Sequence, residues 1–240
     1  MMRTLGIDLS SQPKGTAACV IEWRDGVALV SEPHLRCDDD KLDDLIKSVD
    51  AVGIDAPFGW PIAFENAVGN WTSKKWDTQL RGELQYRETD RFVRDKVEKW
   101  WPLSVSSDRI ALPAMRAMAL LTRHRVTDKS GDGKFYEVYP AGSLKCWGLE
   151  SRGYKDAKNE TCLSRRINIL AQMKRQMPWL RIPGGYLESA DALDALIASL
   201  TARAAKTAKT WTPEKNQVEK GRREGWIHLP RIGQIPEVET

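Results

Sequence analysis

Along the first third of the chain the apolar positions alternate instead of clustering. Leu5, Ile7 and Leu9 are separated by Gly6 and Asp8, and Ser10, Ser11, Gln12, Pro13 and Gly15 punctuate the next stretch. This predicts a strand over residues 3–9 that ends in a loop. Residues 16–23 form a second strand-like run, Asp25-Gly26 a hairpin turn, and residues 27–35 the returning strand. Three consecutive strands in a meander exclude the opening of a dinucleotide-binding βαβ unit. The period then changes: Leu42, Leu45, Ile46 and Val49 fall at i, i+3, i+4 and i+7 of a helix over 41–49. Asp38, Asp39 and Asp40 precede it. Acids there stabilise a helix start through its macrodipole, a reading that outweighs a metal site. Residues 51–57, Ala-Val-Gly-Ile-Asp-Ala-Pro, then repeat the form of the first strand. A crossover helix lets this strand lie parallel and adjacent to the first. Asp8 and Asp55 would then stand side by side at the carboxyl edge of the sheet, where ligands collect in open α/β folds. Two carboxylates that close repel unless a divalent cation neutralises them.

Residues 58–130 read as mostly helix with polar joints, too long for a connection within a sheet, and are expected to form an inserted helical cap. The cap carries Trp60, Trp71, Trp76, Trp100 and Trp101 with Arg81, Arg87, Arg91 and Arg94. On one helix Arg87, Arg91 and Arg94 would share a face suited to phosphates and unstacked bases. The same face also reads as a solvated one, paired to Glu88, Asp90, Asp95 and Glu98. Residues 113–124 are a helix with Met115, Met118 and Leu121 as core. The aromatic run 135–140 returns to the sheet and holds Glu137, read either as an ion-paired acid or as a further carboxylate near Asp8. Residues 161–177 predict a helix with Leu163, Ile167, Leu170 and Met173 along one side. Lys155 is a candidate phosphate contact, and Ser10 another, in the loop after Asp8. Ser189 is a good N-cap for an alanine-rich helix in which Asp191 and Asp194 share a face. The surrounding segment is nearly uncharged, so an unpaired Asp194 would be costly to bury, and a metal or catalytic partner explains it better than capping does. The tail over 207–240 is basic and polar, apart from a short apolar run at 226–229.

Composition narrows the chemistry. With 240 residues, 41% hydrophobic and 29% charged, the chain can bury a full core as one large domain. No apolar run reaches the roughly 18 residues of a membrane span, and the start lacks a signal-peptide core, so a cytoplasmic protein is expected. The four cysteines have no CxxC spacing and the three histidines form no ligand motif. A bound metal would therefore take oxygen ligands, as Mg2+ or Mn2+ does. Residues 1–59 hold 6 basic and 11 acidic side chains, whereas the whole chain is at +4. The remainder is thus basic, which fits either an ordinary mixed surface or a polyanion-binding face.

Strand aspartate, meander, helix, strand aspartate and a late Asp-x-x-Asp helix together resemble the ribonuclease-H-like fold. That resemblance implies an α/β mixed sheet of three antiparallel strands followed by parallel ones, flanked by helices, with acids converging on two metal ions. Ala190-Asp191-Ala192-Leu193-Asp194-Ala195 looks like the last helix of Holliday-junction resolvases in that superfamily. The segments Gly6-Ile7-Asp8-Leu9, Gly53-Ile54-Asp55-Ala56-Pro57-Phe58-Gly59-Trp60-Pro61, Arg87-Glu88-Thr89-Asp90, Tyr136-Glu137-Val138-Tyr139-Pro140, Tyr154-Lys155 and Asp191-Ala192-Leu193-Asp194-Ala195 together resemble domain-of-unknown-function family 429, regarded as predicted nucleases of that fold. This resemblance implies a two-metal phosphodiester hydrolase acting on DNA or RNA. Asp8 and Asp55 would flank one Mg2+ or Mn2+, Asp191 and Asp194 a second, and Glu137 would join them. Two other readings use the same residues. Actin-like and sugar-kinase ATPases open with a similar Gly-Ile-Asp strand and serine turn, and would need a later glycine-rich phosphate loop, for which Gly184-Gly185 is the candidate. A non-catalytic nucleic-acid-binding module would use Asp191 and Asp194 as capping acids alone.

Overall fold

A computed structural model describes residues 1–70, 78–98, 100–155 and 159–238. The first strand, β1 (Met2–Asp8), pairs antiparallel with β2 (Ala17–Arg24), and β2 with β3 (Val27–Val30) through the Asp25-Gly26 turn. The returning strand is shorter than its apolar pattern suggests. It breaks at residues 31–33, which include Pro33, and resumes as the two-residue β4 (His34–Leu35), which also pairs with β2. Asp38 then caps α1 (Asp39–Lys47) by accepting a 2.9 Å hydrogen bond from the Lys41 amide, so the acidic cluster serves a helix start.

After this crossover, β5 (Ala51–Asp55) lies parallel to β1, with Asp8 directly opposite Asp55. The insertion comes next: α2 (Ile62–Gly69), α3 (Arg81–Gln85), α4 (Glu88–Lys96) and α5 (Ala111–Arg123). Trp71 and Trp76 lie outside the described residues. The chain re-enters the sheet as β6 (Phe135–Glu137), parallel to β5, and Pro140 converts the rest of the aromatic run into α6 (Pro140–Cys146). Beyond it lie α7 (Glu160–Gln176), a short β7 (Leu180–Arg181) parallel to β3, α8 (Ala190–Lys206) and α9 (Val218–Glu224). The strand order is β6-β5-β1-β2-β3-β7. This is the ribonuclease-H-like arrangement, a mixed α/β sheet in which three antiparallel strands are followed by parallel ones.

Helices cover both faces of the sheet. Leu5 and Ile7 of β1 pack with Val52, Ile54, Leu42, Ile46 and the Ala117, Leu120 and Leu121 face of α5. Helix α5 is therefore a layer of the core and not a detached cap. Its small side chains bring it close to the sheet and turn Met115, an expected core residue, outward to 57% exposure. On the opposite face α8 packs with α6 and α7 around Ile21, Trp23 and Tyr186. In α7 the inward set is Cys162, Arg166, Ile169 and Met173, while Leu163 and Ile167 are exposed. The expected face is displaced because Arg166 is drawn inside, where its guanidinium donates to the carbonyls of Leu187 at 2.9 Å and Tyr154 at 2.6 Å. The apolar run at 226–229 joins the sheet edge, with Ile227 bridging parallel to Glu137.

Residues of β1 alternate faces, so Thr4, Gly6 and Asp8 all point toward α8, as do Ala51, Gly53 and Asp55 of β5. Thr4 and Ser199 exchange a 2.8 Å hydrogen bond across this contact. A Cβ on Gly6 would collide with the backbone of Ala195 and Ser199, and one on Gly53 with the carbonyl of Ala198. Gly6→Ala is therefore expected to lose about 3 kcal/mol or more of stability in urea unfolding, since rigid backbone cannot yield as a side chain would.

Candidate metal centre

The two Gly-Ile-Asp strands place Asp8 and Asp55 at the same height, and α8 delivers Asp194 from above. One carboxylate oxygen from each of the three lies within 4.8 Å of the others. Asp194 is almost fully buried, and its two oxygens are separately held: Tyr154 donates its hydroxyl at 2.6 Å and Lys155 its ammonium at 2.6 Å. Tyr154 is itself locked, 1% exposed, with its carbonyl accepting from Arg166. Among the described residues no hydrogen-bond donor reaches the Asp8 or Asp55 carboxylate. Burial, reinforced by Asp194 and Asp55, raises Asp8 well above the usual carboxylate range. Burial also pushes Asp55 up to about 7, with Asp194 and Glu137 adding to the effect against the pull of Lys155.

Asp8, Asp55 and Lys155 line a cavity of about 250 Å³ that opens at this edge of the sheet. Three carboxylates from three separate elements, two of them without donors and only one lysine between them, form a donor set that fits a hard divalent cation. Asp191 stays outside the cluster. It occupies the exposed first turn of α8, close enough to Asp194 that burial and that neighbour raise its pKa, while Ser189 takes the N-cap role. Ser10 lies in the loop after β1 and is not part of the cavity wall. Its carbonyl accepts from Arg116 at 2.8 Å, and its amide donates to Thr16 Oγ1 at 3.3 Å.

The arginines of the insertion are placed differently from expectation. Arg87 does not lie on the face of α4. It is the N-cap residue, 1% exposed, so the i, i+4, i+7 alignment with Arg91 and Arg94 does not form. Its five guanidinium hydrogens are consumed by Asp90, Glu137 and the Glu224 carbonyl, which leaves none for a phosphate. Glu137 is accordingly an ion-paired acid: its Oε1 accepts from Arg87 at 2.7 Å, and its Oε2 from Arg87 and the Phe58 amide, both at 2.9 Å. Burial still raises its pKa despite Arg87, and it borders the cavity beside Asp55 without joining the three-aspartate group. Arg91 donates to the Gly82 carbonyl at 2.9 Å, and Arg94 lies over the Trp101 ring and pairs with Asp95 at 3.3 Å. Gly184-Gly185 forms a tight turn packed against Pro33 and Glu32, away from the cavity wall.

Sequence reasoning missed Tyr154 as a direct partner of Asp194, and Arg166 and Arg116 as the side chains that fix the loops around the site. Arg116 binds the Ser10 and Cys37 carbonyls, Thr16 Oγ1 and Asp39. The available signal was an arginine at a core-facing helical position, which requires buried acceptors.

Fold and site together define a ribonuclease-H-like α/β protein with a three-aspartate centre at the carboxyl ends of its two central parallel strands. The family model described as "Protein of unknown function (DUF429)" matches residues 6–217, and the chain belongs to that family. No curated protein and no solved structure matches. No helix among the described residues is long and apolar enough to cross a membrane.

The raised Asp55 carboxyl links stability to pH. The native metal-free protein keeps its proton up to about pH 7, whereas an unfolded chain releases it near the ordinary value of about 3.9. Between those values the native state binds more protons than the unfolded one, so this group lowers stability as pH rises through that window. In urea unfolding with EDTA, Asp55→Asn is expected to exceed wild type by about 1 kcal/mol or more at pH 8, with the difference shrinking as pH falls and closing near pH 4. Added Mn2+ should raise the wild-type midpoint and leave that of the variant unmoved.

Proposed function

We propose that this chain is a cytoplasmic metal-dependent nuclease, hydrolysing phosphodiester bonds in nucleic acid with Mg2+ or Mn2+ held by Asp8, Asp55 and Asp194. The convergence of these three carboxylates at the carboxyl edge of the sheet, two of them lining one cavity, carries the reading. A second ion would draw on Asp191, whose carboxylate lies near enough to Asp194 for that neighbour to raise its pKa. Bound divalent ions supply Lewis acidity, activating water and neutralising charge for in-line displacement at phosphorus.

The remaining roles fall to the protein's own groups. Tyr154 orients the Asp194 carboxylate by its hydroxyl hydrogen bond. Lys155, whose side chain is 59% exposed at the cavity, is the cation that meets an incoming phosphate. Glu137, held by Arg87, shapes the wall beside Asp55.

The test is incubation of labelled single-stranded, duplex and branched DNA and RNA with Mg2+ or Mn2+. Wild type should cut at least one of them, and Asp8→Asn should lower the rate by about 10²-fold or more. Equal cleavage by both, or none by wild type, would overturn the proposal. Lys155→Ala should raise KM more than it lowers kcat.

A further inference from the structure

Beside the carboxylates the cavity is bounded mainly by apolar side chains. Pro102, Leu103, Ile110 and Pro113 form one side, and Tyr139, held edge-on by Trp100 with ring centroids 6.1 Å apart, another. Leu103 is 57% exposed. An exposed aliphatic wall lining a cleft beside an acidic cluster is placed to meet a ligand. The loop that carries it is built rigidly. Ser104, fully buried, donates to the Gln85 carbonyl at 2.7 Å and accepts from the amides of Ser106 and Ser107, and its own amide donates to Asp108 at 2.6 Å.

The charges around this wall do not suit a duplex. Double-stranded nucleic acid is held chiefly through its phosphates by rows of free cations. Of the two cations that line the cavity, Arg87 is consumed internally and Lys155 alone is exposed. A cleft of about 250 Å³ is smaller than the roughly 300 Å³ at the lower end of ordinary small-molecule sites. It accepts one flat group at a time, and a base within a duplex reaches such a cleft only by leaving its stack.

We infer that the Pro102-Leu103-Ile110-Pro113 wall receives an unpaired base while the adjoining phosphate lies at the three aspartates, which makes the substrate a single-stranded or locally unpaired nucleic acid. This deepens the nuclease reading and rests on it. Tyr139 is the aromatic side chain that lines the cavity beside this wall, and a base stacked on such a ring gains roughly tenfold or more in affinity.

Binding measured with Ca2+ in place of Mg2+ or Mn2+ tests the inference without relying on cleavage. The probes are fluorescein-labelled oligothymidylate, oligouridylate, an oligothymidylate with abasic central positions, and a blunt hairpin duplex, read by anisotropy. One of the intact single strands should bind about tenfold or more tightly than both the duplex and the abasic strand. Leu103→Ser should erase most of that difference and Leu103→Trp should widen it. At 57% exposure neither change threatens folding, which thermal melts would check. Equal affinity for intact and abasic strands, or no effect of either Leu103 variant, overturns the inference while leaving the nuclease reading intact if cleavage is seen. Discrimination without any cleavage supports the base wall and sinks the nuclease reading. No binding of any probe overturns the inference, and the nuclease reading then stands or falls on cleavage.

Discussion

The direct seating of a helix backbone on two strands is the contact on which the rest of this molecule depends. Helix α8 rests on Gly6 and Gly53, where no Cβ intervenes between its carbonyls and the sheet. That proximity brings Asp194, one turn nearer the helix start, within range of Asp8 and Asp55, two residues further along the same strand faces. The Gly-Ile-Asp repeat is thus one device with three parts. Glycine sets the distance, isoleucine anchors the far face in the core, and aspartate carries the charge. The alanines along α8 serve the same end by keeping its sheet-facing side shallow.

This arrangement concentrates negative charge where burial makes it costly, and the protein offsets that cost in part. Lys155 pairs with one oxygen of Asp194 and Tyr154 donates to the other, whereas Asp8 and Asp55 shed charge by holding protons more tightly. A site left poised in this way is typical of functional centres, where local stability is given up for reactivity. The Arg87 cluster is the opposite case. There Asp90 and Glu137 are as deeply buried, yet the hydrogens of a single guanidinium reach both carboxylates and every one of its donors has an acceptor.

Much of this was legible in the chain itself. The alternation of Leu5, Ile7 and Leu9, the Asp25-Gly26 turn and the helical period from Leu42 to Val49 fix the strand order, because a meander and then a crossover leave few places for β5. The pairing of Asp8 with Asp55 results from that topology, and Ser189 correctly marks the start of α8. The insertion was harder to read. Arg87 looked like a surface residue because its partners Glu137 and Glu224 are 50 and 137 positions away, and no local pattern announces such a contact. The true face of α7 was hidden for a similar reason: Arg166 occupies a core position only because two distant carbonyls receive it. Periodicity reports burial well where apolar groups do the burying, and fails where a long charged side chain is satisfied at depth.

Glu224 gives the last segment an architectural meaning. One of its carboxylate oxygens accepts from the Ile62 amide at the start of α2, the other from the Glu88 amide at the start of α4, and its carbonyl takes a hydrogen from Arg87. Three residues later Ile227 lies against β6. The family match stops at residue 217, before this clasp. The cooperative unit therefore reaches further than the recognisable sequence unit. Closing two helices and one buried arginine at once falls to a residue outside that unit.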